Sequence, residues 1–375
     1  MRHTIGKVYL SLGAYDKAHE LLEEAVSVRR ERLPAGSVEL AASVHALAQS
    51  LDDQGKSKEA RASYTEAIAL YEGLGAKGLD GLIDVLGNYG WMLGHIGEYA
   101  AADGALDRAM KLAEAKQPPD EKRILKLLND QSTVQMDVGK PDAALAILDR
   151  ALTLSRRLYG DGDFNTANVL TNISIAQAMA KRFDLAEKNG VEALSIYKAV
   201  YGDAHPKVAK ALGNVGIDLA QQGKKAEARP YFEQALAALI RIHGPDHPVV
   251  AQAYMNLGLL KLESGDPRAA IVDLQRSVDI YEKTAASDTP SMGLSLYQLA
   301  AAREAIGELA EARALLQRVI AIDEKTHGPD SSDVADDLEA LAAVERKMGH
   351  VAEADRLEAR MRGIREKAAA PPKKG

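Results

Sequence analysis

The sequence predicts an all-α solenoid of about nine antiparallel helical hairpins, and three observations carry that expectation. Residue types recur at a 42-residue period along the 375-residue chain. Aromatic residues are only 5% of a composition that is 46% hydrophobic, while alanine and leucine abound and β-branched runs are scarce. Within each period, two stretches with apolar residues at helical spacing flank one glycine.

That glycine stands at Gly13, Gly55, Gly97, Gly139, Gly223, Gly265, Gly307 and Gly349, with Lys181 as the single exception. Glycine there ends one helix in the left-handed conformation and permits a tight turn into the next. Five residues later the column is alanine in every period, from Ala18 through Ala186 to Ala354. Seven residues before the glycine only small residues occur, among them Gly6, Gly90, Ser132, Gly216, Gly258 and Ala342. The two small columns let the paired backbones approach closely. Apolar bulk follows on the second helix at Val28, Leu70, Leu112, Leu154, Ile196, Ile280 and Ile322. A lone hairpin cannot bury such a face, so neighbouring hairpins must stack.

The joints between periods have their own chemistry. The stretch HGPDHP at 243–248 offers two histidines that invite a metal or catalytic reading, yet Gly244-Pro245 breaks the helix such a pair would need. Followed through the array, the place of His247 reads Ser37, Leu79, Glu121, Asp163, His205, Thr289 and Ser331, with proline next at 206, 248 and 290. A polar residue before proline marks an N-cap and first helical position. Gly160, Gly202, Gly244 and Gly328 mark where the preceding helix stops. Gly55-Lys56-Ser57 lacks the upstream glycine and strand of a phosphate loop. No catalytic residue, metal site or cofactor is expected.

The spacing G-x6-G-x4-A-x6-A, as in Gly6/Gly13/Ala18/Ala25 and Gly216/Gly223/Ala228/Ala235, resembles the tetratricopeptide repeat signature over residues 1–366. The 42-residue period, with joints such as YGDAHP, is similar to the long-helix repeats of kinesin light chains. The resemblance implies a right-handed superhelix whose first helices line a concave groove. On that face the column two residues before the small position reads Asn88, Asp130, Asn172, Asn214, Asn256 and Gln298. Asparagines at this place in similar families bond the main chain of an extended peptide, and a side-chain amide can both donate and accept. The alternative is that they bridge adjacent first helices. One turn earlier lie Lys126, Asn168, Lys210 and Gln252, of which the two lysines imply a ligand with some acidic character; Trp91, one turn later in its helix, is either a groove anchor or hairpin packing. The set needed to clamp a terminal carboxylate is incomplete, because Asn129 and Thr133 occupy two of its places and no arginine completes it.

Unit five departs from the pattern twice, with Lys181 at the turn and Gly190 where other units carry Leu22, Tyr64 or Phe232. Phe183 is expected to fill the gap, with a hinge as the alternative. Residues 367–375 read as a disordered tail. Met1 falls inside the expected first helix, which suggests an array that continues upstream.

A net charge of −7 argues against nucleic acid, and no stretch has the length of a membrane span. The lack of cysteine excludes disulfides and suits the cytoplasm. The expected function is a non-enzymatic scaffold for a protein or peptide, monomeric or weakly self-associating through an open array end. The alternative is the regulatory or sensor repeat region of a larger signalling protein, because units such as IGKVYLSLGAYDKAHELLEEAVSVRRE resemble the tails of bacterial serine/threonine kinases.

Overall fold

The computed structural model describes residues 1–34, 36–284 and 289–369. Among these the chain is all-α, with eighteen α-helices, one short 3-10 helix (Gly75–Gly78) and no strand. Two compact units divide it, Met1–Asn189 and Gly190–Gly375. In the first, α1 (Arg2–Ser11) pairs with α2 (Tyr15–Arg32), and α3 (Val38–Asp53) with α4 (Ser57–Gly73). Next come α5 (Leu79–His95) with α6 (Tyr99–Ala115), and α7 (Glu121–Asp137) with α8 (Pro141–Tyr159). Then α9 (Phe164–Met179) is followed by α10 (Phe183–Tyr201), and the division falls inside α10 at Gly190. In the second unit the pairs are α11 (Pro206–Gln221) with α12 (Lys225–His243), and α13 (Pro248–Glu263) with α14 (Pro267–Lys283). Last are α15 (Pro290–Ala305) with α16 (Leu309–Thr326), and α17 (Ser332–Lys347) with α18 (Val351–Ala369). Of the tail expected at 367–375, residues 367–369 instead continue α18, and those from 370 onward lie outside the described residues.

The repeat columns become contacts. Every alanine of the second-helix column, Ala18 to Ala354, is 0% exposed. Opposite it, a Cβ on Gly90 would sit 2.7 Å from Leu106 Cγ, and one on Gly258 would sit 2.5 Å from Leu274 Cγ. Large second-helix side chains therefore rest directly on first-helix backbone. The turn glycines take positive φ, such as 73° at Gly55 and 81° at Gly97. The N–H two residues into the turn reaches back to close the helix, as in Lys56 N–H to the Leu51 carbonyl at 2.9 Å. Lys181 adopts the same conformation at φ 57°, and its neighbour Arg182 donates to Gln177 at 2.8 Å. The fold imposes the turn even where the residue resists it.

The joints close as polar caps. Ser37, Asp163, His205, His247, Thr289 and Ser331 each accept a backbone N–H from the helix they open. In the fourth hairpin the cap is Asp120 rather than Glu121, and the third opens from the 3-10 helix with no side-chain cap. Along the exposed side of each unit, second helices of neighbouring hairpins exchange ion pairs: Arg30–Glu66 (2.6 Å), Arg108–Glu72, and Arg318–Glu282 (2.8 Å). Being half exposed, each is worth about 0–1 kcal/mol. No helix among the described residues is long and apolar enough to cross a membrane.

Three stability outcomes follow, all read from urea unfolding midpoints. Gly258→Val should destabilise by about 1–3 kcal/mol through overpacking, whereas Gly213→Ala, whose new Cβ meets nothing within 4 Å, should stabilise by about 1 kcal/mol. Lys181→Gly should stabilise by about 0.5–1 kcal/mol, because left-handed strain outweighs the added chain entropy.

Candidate functional site

The polar column of the first helices behaves differently in the two units. In the first unit its members are taken up by neighbours. Asn88 Nδ2 lies 3.0 Å from His45 Nε2 on the preceding first helix, as a neutral imidazole acceptor requires. Lys126 Nζ donates to Asn88 Oδ1 at 3.3 Å and to Asp130 Oδ2 at 2.7 Å. Burial raises the Asp130 pKa, and Lys126 only partly offsets it. Asn172 Nδ2 donates to Asn129 Oδ1 at 3.0 Å. Here the residues bridge adjacent first helices. His45 and Asn129 each stand one position before the column, and a polar residue at that place was the signal that could have revealed the bridges. Trp91 is 36% exposed and sets its ring edge-on to His95, centroids 4.3 Å apart; Asn168 is half-buried on α9.

In the second unit the column meets a cavity. About 380 Å³ opens between α11, α12 and α13, walled by Ile217, Phe232, Leu239 and Val249 and carrying Lys210, Asn214, Gln252 and Asn256 on its polar side. Asn214 Nδ2 is buried and has no hydrogen-bond partner. An unmet buried donor costs about 1–3 kcal/mol, so an acceptor brought to this one would be favoured. Gly213 lines this space, and a Cβ there would meet nothing within 4 Å. Gln298, on α15, is half-buried and does not line this cavity.

His243 also lines the cavity, and its ring stacks on His247 with centroids 4.6 Å apart. His247 Nδ1 accepts the Val249 N–H at 3.3 Å. One histidine is a wall and the other a cap. Among the described residues no three His or carboxylate groups converge as metal ligands.

The geometry defines an α-helical repeat protein whose first helices carry the polar column. A family profile described as tetratricopeptide repeat matches residues 123–199, 179–241, 208–283 and 291–367. Two further profiles of that description match residues 1–38 and 41–73. The chain belongs to the tetratricopeptide repeat family. No curated protein matches it in sequence. Among solved structures, the apo form of RapI superposes with a TM-score of 0.67 at 14% identity, covering 98% of this chain and 97% of that one. The apo quorum sensor NprR from B. thuringiensis gives 0.64 at 12% identity, covering 97% of each. A Rap protein complexed with Competence and Sporulation Factor gives 0.57 at 16% identity, covering 98% of each. At these identities the likeness is one of fold.

The His45 bridge has a pH signature. Burial, with Lys7 and Lys126 adding to it and Asp84 opposing, lowers the His45 pKa from 6.5 to about 4. Between those values the unfolded chain holds a proton that the folded one refuses, so stability present above pH 6.5 is lost as pH falls toward 4. His45→Gln should flatten the decline in urea midpoint between pH 7 and pH 5 relative to the unaltered chain.

Proposed function

We propose that the chain is a non-catalytic interaction scaffold that binds an extended segment of a partner protein along the first helices of its second unit. The observation that carries this reading is the unpartnered Asn214 Nδ2 inside a mostly apolar cavity. A main-chain carbonyl supplies the acceptor that Asn214 lacks, while a side chain from the same segment occupies the space over Gly213. Gln252 and Asn256, on the adjoining first helix, offer further amide groups for main chain. Lys210, exposed at the rim, favours an acidic neighbour of that side chain. In the first unit Asn88, Lys126, Asp130 and Asn172 already satisfy one another or nearby groups, so binding concentrates in the second. The Rap complex, which shares the fold, contains Competence and Sporulation Factor, and that supports a bound partner here. A cysteine-free chain suits a cytoplasmic setting.

A sensor or regulatory role within a larger signalling assembly is the second reading. The observation favouring it is the division at Gly190: the cavity lies wholly in one compact unit, leaving the other for a different contact.

The test is a random peptide library selected on the full chain. Selected peptides should carry an apolar anchor and lose at least about tenfold in affinity on Gly213→Phe, equivalent to about 1.4 kcal/mol. Asn214→Ala should weaken them less, through loss of one hydrogen bond. Peptides that bind Gly213→Phe as tightly as the unaltered chain would sink the proposal.

A further inference from the structure

The cavity beside Asn214 recurs two repeats later in the same unit with its chemistry reversed. A space of about 340 Å³ between α15, α16 and α17 is lined from the same repeat positions. Leu239, Val249, Gln252 and Ala253 of the first cavity are replaced by Asp323, Asp333, Asp336 and Asp337, 84 residues on in each case. Lys210 becomes Leu294 and Gly213 becomes Tyr297, while the proline and the histidine are kept, as Pro290 and His327. A mould that is apolar with a cationic rim becomes one with four carboxylates.

Few positive charges answer them. Arg365, on α18, pairs with Asp336 at 2.8 Å but divides itself with Glu339 at 2.8 Å. His327 Nδ1 lies 3.2 Å from Asp333 and 3.7 Å from Asp323. Asp337 has neither partner: it is 5% exposed, its Oδ2 is buried, and no hydrogen bond reaches that oxygen. A carboxylate oxygen buried and unmet at a cavity wall is the counterpart of the unmet amide in the other cavity. Satisfying it takes a donor, and the surrounding negative potential selects a cationic one.

We propose that this second cavity receives an arginine side chain of the partner segment. The inference rests on the reading that the second unit binds such a segment, and it adds what that segment must contain. A guanidinium presents five N–H donors in a planar fork and can engage more than one carboxylate at once, whereas a lysine ammonium acts as a point charge. Tyr297 supplies an aromatic surface against which the planar group can lie. A bound metal ion fits less well, because the carboxylates line a wide space and no three converge.

The site also couples to protons. Burial first, then the charge of and hydrogen bond to Asp323, then Asp333 and Asp336, raise the Asp337 pKa from 3.8 to about 7. Tyr297 of α15, Asp323 and His327 of α16, Asp333 and Asp336 of α17, and Arg365 of α18 are the titratable groups around it. Between pH 4 and pH 7 the folded chain holds a proton that the unfolded one releases, so the cluster destabilises the fold increasingly as pH rises toward 7. An arginine prefers the ionised form. Its binding should therefore strengthen from pH 6 to pH 8 and release a proton in between.

The probe is N-acetyl-arginine N-methylamide, titrated calorimetrically into the full chain at pH 8 beside the norleucine analogue and spermidine. For a fragment of about fifteen heavy atoms, a dissociation constant on the order of 1 mM is expected. Asp337→Asn and, separately, Asp333→Asn should each weaken it at least about fivefold by removing charge. Asp337→Asn is nearly isosteric and relieves repulsion, so its urea midpoint at pH 8 should match or exceed that of the unaltered chain. Gly213→Phe should leave arginine binding unchanged, which separates failure of this inference from failure of the segment-binding reading. No saturable binding of the arginine probe, equal binding of the norleucine probe, or indifference to both Asp substitutions would overturn it. Tighter binding of spermidine than of the arginine probe would overturn the assignment to a partner's side chain.

Discussion

Everything in this protein depends on one contact, the seating of a large second-helix side chain on the bare backbone of the first helix. Leu22 on Gly6, Leu106 on Gly90, Phe232 on Gly216 and Leu274 on Gly258 repeat it with almost no clearance for a Cβ. The alanine column, fully buried throughout, holds the two backbones together beside it. In those four hairpins this contact sets the separation of the helices, other hairpins carrying Ala or Ser at the glycine's place, and it leaves the outer faces for stacking on neighbours. With hairpin geometry constant, the remaining face of each first helix is presented in the same way from one repeat to the next. Side chains on that face can then vary without altering the frame that carries them.

Their variation is where the two units differ. In the first, polar side chains on the exposed face close on one another, from His45 to Asn88, Lys126 and Asp130, and from Asn129 to Asn172. Such a network rigidifies, and its groups are already satisfied. In the second unit Gly213 removes the side chain that would fill the space, and Asn214 is left without an acceptor. Comparable positions thus serve cohesion in one body and, on the function proposed above, recognition in the other.

The frame was legible in the sequence because it depends on residue size and backbone conformation, which repeat: glycine at the turn, alanine beneath it, a polar cap before proline. The eight glycine turns adopt the expected conformation, and Lys181 shows that the register survives one exception. The cap of α7 moved to Asp120 because that joint is built differently, with Gln117, Pro118 and Pro119 ahead of it. The polar column was visible as a pattern, but its use was not. Asn172 meets Asn129 of the preceding repeat, whereas Asn214 Nδ2 is buried with no partner, a difference the column itself does not display. The cavities are not legible in the sequence for a related reason. Each is lined by three helices, so its chemistry is scattered over some fifty residues of chain. Asp323 and Asp337 look like ordinary surface acids until α16 and α17 bring them together.

The uninterrupted 42-residue step has a consequence for heredity as well as for packing. Recombination between any two repeats of the encoding gene at matching places removes or adds a whole number of hairpins, leaving each turn glycine opposite its alanine. Such an event produces a chain whose hairpins still fit, but in which the apolar and the acidic mould change their order or their separation. New specificities can therefore arise by rearranging finished parts, before any single side chain has to change.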